Sequence, residues 1–266
     1  MESPLAPAQS AQSVLSARVR HAEHVMGTVV SFDVPASAKT GGSLEDAIRW
    51  LHWVDRVFSP YRPDSDVSLL ARAEVTLDGC APEVAEVLAA CAFVRDLSGG
   101  YFTSAPGGEF DPSGYVKGWA VERAASLLTW AGSSGHLVNG GGDVQCVGGR
   151  SESEGWRVGV ASPLPGAGLA FVAAGRDFAV ATSGTAERGA HILDPVAGRP
   201  AAGLASITVA GPSLAWADAY ATAAFAMGPE LAREWTESLD DYEAFAILPD
   251  GTTWQTRGFA AYLPGD

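Results

Sequence analysis

Apolar and polar positions alternate from His24 to Val34 (HVMGTVVSFDV), a period of two that predicts a half-buried strand carrying Gly27. The period then changes. Leu44, Ala47, Ile48, Leu51, Val54 and Phe58 recur at helical spacing between Ser43, a residue suited to cap a helix, and Pro60, which ends one. Tyr61 and the polar turn RPDSD follow. A second helix is expected to open at Pro82, run through Val84, Val87, Leu88 and Phe93, and stop at Gly99-Gly100. A third is expected from about Lys117 to Trp130, with Gly132 after it.

Short strand-like runs come next, separated by Gly and Pro: His136 to Val138, Asp143 to Val147, Trp156 to Ala161, Ala170 to Ala174 and Phe178 to Thr182. Their spacing suits antiparallel hairpins. Another strand, Ala205 to Ala210, precedes a small-residue helix from Ser213 through Met227 and a further helix from Pro229 to about Leu239. A closing hairpin pairs Tyr242 to Leu248 with Thr252 to Arg257 around Asp250-Gly251. Helices and strands mix without a repeating βαβ order, so the predicted class is α+β, mostly antiparallel sheet packed with helices.

With 47% hydrophobic side chains in 266 residues, the chain can bury a substantial core. Residues 1–20 mix Pro, Ser, Gln and Ala and are expected to be a flexible lead-in, leaving residues 21–266 as a single domain. Seventeen basic against thirty-one acidic residues leave a net charge of −14, which disfavours nucleic acid and anionic membrane surfaces as partners. Cys80, Cys91 and Cys146 include no Cys-x-x-Cys pair, so neither a disulfide framework nor a zinc ribbon is expected. No stretch reaches the ~20 apolar residues of a membrane span, and no secretory signal opens the chain, so a cytoplasmic protein is expected.

Four segments carry candidate chemistry. In HLVNGGGDVQCVGG three consecutive glycines, Gly140 to Gly142, suit either a tight hairpin turn or close approach of a ligand. In FDPSGYVKGWAVERAASLL, Asp111 and Lys117 just before a helix suit either an anion at the helix start or an ordinary cap with a surface lysine. In WADAYATAAFAMG, Asp218 and Thr222 fall on one helix face. They are either a solvated pair or two hard-oxygen ligands suited to magnesium that keeps phosphate oxygens in its other positions. In ATSGTAERGAHILDPVAGRP, His191 is either structural or a proton acceptor near neutral pH. The chain has no Gly-x-Ser-x-Gly elbow, Walker loop or His-Glu-x-x-His motif.

The order of these segments resembles the ApbE-type FAD:protein FMN transferase family. The resemblance runs through MGT (26 to 28), FSPYRPDSDVSLL (58 to 70), DPSGYVKGWAVERAA (111 to 125), LVNGGGDV (137 to 144), the His191 segment (181 to 200) and ADAYATAAFAMG (217 to 228). It implies an α+β fold related to the T-fold. It also implies an enzyme that cleaves the FAD pyrophosphate with Mg2+, attaches FMN by a phosphoester to a Thr or Ser of an acceptor protein, and releases AMP. Met26, Tyr61, Asp111 and Lys117 are thereby implied in FAD binding. The carbonyl near Gly114, with Asp218 and Thr222, is implied in metal binding, and His191 lies beside the reacting phosphate. The chain departs from the family pattern at Thr103, where Asp is common, at Ala71, where Asn is common, and in a short stretch between Phe102 and Asp111. A metal-dependent FAD pyrophosphatase and a non-catalytic FAD-binding protein are the competing expectations.

Overall fold

A computed structural model describes residues 17–36, 38–185 and 192–265. The chain opens with a hairpin of β1 (Arg18–Val25) and β2 (Thr28–Pro35). The single strand expected from His24 to Val34 is therefore two strands, because Met26 and Gly27 both take positive φ (53° and 69°) and make a two-residue turn. Strand pairing from Arg18 also takes the last residues of the expected lead-in into the sheet; residues 1–16 lie outside the described residues.

Helix α1 (Ala38–Phe58) begins before the expected cap, so Ser43 is an interior residue, while Ala47, Leu51, Val54 and Phe58 form its buried stripe. A short helix the periodicity did not signal, α2 (Asp66–Ala71), grows from the RPDSD turn, where Ser65 accepts the Ser68 amide at 3.2 Å. Helix α3 (Pro82–Leu97) falls as expected, and α4 (Ser113–Trp130) starts one turn early. After β3 (Gly135–Gly140) and β4 (Asp143–Gly148) come a separate hairpin of β5 (Trp156–Ala161) and β6 (Leu169–Gly175), then β7 (Phe178–Gly184). A small pair, β8 (Leu193–Asp194) and β9 (Arg199–Pro200), precedes β10 (Ser206–Gly211) and two helices, α5 (Leu214–Met227) and α6 (Pro229–Thr236). The chain closes with β11 (Glu243–Ile247) and β12 (Thr253–Gln255).

Eight strands form one antiparallel sheet in the order β1-β2-β3-β4-β7-β10-β11-β12. Alternation along each strand sorts its side chains onto two faces. Val30, Phe32, Val138, Ala179, Ala181, Ile207 and Val209 pack beneath α1, α4 and α5. Val144, Cys146, Phe178 and Val180 face the other way and are covered by Trp156, Val158 and Val160 of the separate hairpin and by Phe259. The fold is α+β, as expected. Among the described residues no helix is long and apolar enough to cross a membrane.

His136 is fully buried where β3 meets α4, between the Ala125 carbonyl (2.9 Å) and Ser133 Oγ (3.0 Å). Burial holds its pKa down at about 4, against the pull of the Ala125 hydrogen bond. A histidine depressed in the folded state stabilises the fold above its unfolded pKa near 6.5, and that contribution is lost as pH falls towards 4, because the unfolded chain then binds the extra proton. We expect the loss to reach about 2–4 kcal/mol. Thermal melts from pH 7 to 4.5 test this: the downward slope expected in the wild type should shrink in His136→Leu, and equal slopes would contradict it.

Candidate functional site

Two hairpin turns meet at one end of the sheet. The β1–β2 turn is Met26-Gly27, and the β3–β4 turn is Gly141-Gly142, with positive φ at both glycines and the Asn139 side chain accepting the Gly142 amide at 2.8 Å. The Gly141 amide crosses to the Val29 carbonyl at 3.1 Å, and a Cβ on Gly141 would meet Thr28 Oγ1 at 2.6 Å. The glycine triplet is thus a hairpin turn pressed against its neighbour. Directly after it, Asp143 opens β4 with its side chain on the helical side, and it is buried.

Lys117 was expected at the start of its helix; the structure sets it in the second turn of α4, so it acts through its side chain and not beside the free terminal amides. Its ammonium pairs with Asp143 Oδ2 and lies 3.5 Å from Asp218 Oδ1. Asp143 Oδ1 accepts the Thr182 amide at 2.9 Å, and Asp218 Oδ2 accepts the Gly118 amide at 3.0 Å. Asp218 is only 4% exposed, which removes the solvated-pair reading of Asp218 and Thr222. Burial pushes the Asp218 carboxyl up from its ordinary range; Lys117 pulls it back, and the neighbouring Asp143 charge adds to the rise. One turn on, Thr222 Oγ1 lies 3.5 Å from Ser183 Oγ.

The start of α5, which sets the position of Asp218 and Thr222, is fixed by other elements. Glu122 of α4 accepts the Ser213 hydroxyl (2.6 Å) and the Ala215 amide (2.9 Å), and Gln145 of β4 accepts the Leu214 amide (3.0 Å). Free amides at a helix start are thereby satisfied by side chains from two neighbours, one of them a carboxylate at the positive end of the dipole. Small residues along α5 let α4 come close. A Cβ on Gly118 would stand 2.5 Å from the Leu214 carbonyl oxygen and 2.8 Å from Asp218 Cβ.

Gly114, Asp218 and Thr222 present hard oxygens, the set magnesium prefers. In a regular helix the Gly118 amide serves the Gly114 carbonyl; here that amide also donates to Asp218 Oδ2 at 3.0 Å. A Cβ on Gly114 would lie 3.7 Å from Thr222 Cγ2, so these two residues are neighbours. The residues present fit the ion. Among the described residues no cluster of three His, Cys, Asp or Glu side chains stands in metal-binding array.

The structure therefore gathers Gly114, Lys117, Asp218 and Thr222, and adds Asp143, Thr182 and Ser183. Asp143 had been read only as a strand start; an Asp placed between a glycine turn and an apolar run was its one local signal. Asp111, two residues before α4 begins, accepts the Ser113 amide at 2.9 Å. Met26 packs on the core from its turn, whereas Tyr61 stands in solvent, 91% exposed. His191 lies outside the described residues. At the departure from the family pattern, Thr103 Oγ1 accepts the Ala105 amide at 3.0 Å, a turn contact an Asp carboxylate also makes.

Hard-oxygen donors and one ammonium are thus gathered at one end of the sheet of an antiparallel α+β scaffold. The ApbE family model matches residues 26–108 and 102–246. The chain belongs to the ApbE family. The match divides within the short stretch noted after Phe102. The chain is 32% identical over 194 residues to an FAD:protein FMN transferase of Rhodobacter capsulatus, covering 68% of this chain and 36% of that protein. It is 30% identical over 166 residues to the FAD:protein FMN transferase of Escherichia coli strain K12, covering 58% and 47%. The chain thus matches under half the length of these curated relatives. The solved structure of the flavin transferase ApbE from Vibrio cholerae superposes with a TM-score of 0.82 at 21% identity, covering 93% of this chain and 99% of that one, and so shares its fold.

The close approach at Gly118 yields a prediction of sign. In an open helix Gly→Ala stabilises by roughly 0.5–1 kcal/mol, but Gly118→Ala must push α4 from α5 and should cost about 1–3 kcal/mol. Gly114→Ala, whose Cβ would meet Phe102 at 3.3 Å, is expected to change stability much less. Denaturant titration of both variants checks this, and a stabilised Gly118→Ala protein would contradict the packing.

Proposed function

We propose that the protein is an FAD:protein FMN transferase. The observation that carries this reading is the Lys117, Asp143 and Asp218 group beside Thr222 and Gly114: one ammonium and a hard-oxygen set at the end of the sheet, in a chain of the ApbE family. The names of the relatives support the same substrate and reaction class.

In this reading Met26, Tyr61, Asp111 and Lys117 bind FAD, and Gly114, Asp218 and Thr222 hold Mg2+. The metal, when bound, supplies neutralising charge to the pyrophosphate oxygens. Lys117 adds a compact positive charge beside the same oxygens. The hydroxyl oxygen of a Thr or Ser on the acceptor protein attacks the FMN-side phosphorus. The bond from that phosphorus to the bridging oxygen breaks, and AMP leaves with the bonding pair. His191 accepts the hydroxyl proton. An acceptor in the cytoplasm, with no nucleic acid or membrane partner, belongs to the same reading.

Release of AMP from FAD and magnesium, measured with and without acceptor proteins bearing an exposed Thr or Ser, tests the proposal. Transfer predicts AMP only with acceptor, together with flavin covalently on that acceptor. AMP without acceptor would replace transfer by hydrolysis, and none under either condition would leave only FAD binding. Asp218→Asn should remove most magnesium-dependent turnover. His191→Ala should keep FAD binding yet slow turnover by about 10²–10⁴-fold, the usual contribution of a general base. Near-normal turnover in His191→Ala would remove it from that role.

A further inference from the structure

Asp143 is not among the residues given a part in binding or turnover, yet both its oxygens are committed. Oδ1 accepts the Thr182 amide at 2.9 Å, and Oδ2 pairs with the Lys117 ammonium. The side chains of Asp143 and Asp218 are 3% and 6% exposed, and that of Lys117 is 30% exposed. The two carboxylates approach from different layers, Asp143 from the sheet and Asp218 from α5, and Lys117 reaches both from α4.

A lysine stem has four rotatable carbons and no fixed direction of its own. With two buried carboxylates in reach, its ammonium goes wherever the charge balance is best. We propose that Asp143 is a positioning residue that retains the Lys117 ammonium on the sheet side, facing the phosphates of a bound dinucleotide, so that it is shared between the two carboxylates and not given over to Asp218 alone. The anchor is rigid, because the Thr182 amide that holds Asp143 belongs to β7, a central strand paired on both sides. Without Asp143 the ammonium would settle against Asp218 Oδ1, the oxygen a divalent cation would need. The identity of the ligand rests on the flavin reading above; the holding of Lys117 does not.

The chain contains two lysines, Lys39 and Lys117, so protein labelled with side-chain 15N-lysine gives a two-signal NMR spectrum. Ammonium groups held in an ion pair exchange slowly enough to be seen. In the unliganded protein the Lys117 signal should be sharp, and Asp143→Asn, which keeps the acceptor for Thr182, should shift or broaden it. FAD affinity with magnesium, measured by flavin fluorescence, supplies the second arm. Asp143→Asn should weaken binding about tenfold in the wild type and less than about twofold in Lys117→Met, since residues that act through one another are not additive. Should the Asn variant not fold, Asp143→Glu, which moves the charge by one methylene, is measured in the same way, with a shifted Lys117 signal and a smaller loss expected. An unchanged Lys117 signal, or equal losses of FAD affinity with and without Lys117, would overturn the proposal. Wild-type protein that fails to bind FAD while Asp143→Asn still shifts the Lys117 signal would remove the flavin reading and leave the positioning role standing.

Discussion

A buried carboxylate is costly unless a cation or several donors stand beside it, and this chain buries two of them at one end of its sheet around a single lysine. The other features of that end answer this demand. The Thr182 amide takes one oxygen of Asp143, the Gly118 amide takes one of Asp218, and Lys117 serves the remaining oxygen of each. Such an arrangement contributes little to stability compared with apolar side chains of the same size. It does hold charge in a fixed place.

Helix packing makes that arrangement possible. Asp218 reaches the Gly118 amide because α4 carries no Cβ at the crossing and α5 is built largely from alanine. Glu122 and Gln145 then fix the start of α5 along its axis, so that Asp218 and Thr222 cannot slide past Lys117 and Gly114. The hairpin turn at Gly141-Gly142 delivers Asp143 at the first position of β4. Core packing and site geometry thus share the same few residues.

Local periodicity made most elements legible. Val84, Val87, Leu88 and Phe93 mark α3, the run from Trp156 to Ala161 marks β5, and Asp250-Gly251 marks the last turn. What the periodicity missed depends on contacts distant in sequence. Met26 is not a residue that favours positive φ, so the opening hairpin reads as one strand in the sequence. Glycine is a poor helix former, and at Gly118 the close contact with Leu214, nearly a hundred residues on, explains it. Spacing leaves Asp218 and Thr222 with two readings that burial decides between, and it marks Asp143 only as a strand start, because the partners of its side chain lie on α4 and β7. Family resemblance supplied roles for Gly114, Lys117, Asp218 and Thr222 that spacing alone left open.

Under the proposed function, the group formed by Gly114, Lys117, Asp143, Asp218 and Thr222 receives a metal-bound pyrophosphate. Crystals grown with FAD and manganese in place of magnesium test it most directly, through the anomalous scattering of the metal. The account predicts a peak contacted by Asp218 Oδ1, Thr222 Oγ1 and the Gly114 carbonyl, shared with pyrophosphate oxygens, with Lys117 still paired to Asp143. A pyrophosphate bound elsewhere on the molecule, or a manganese peak away from Asp218, would contradict it.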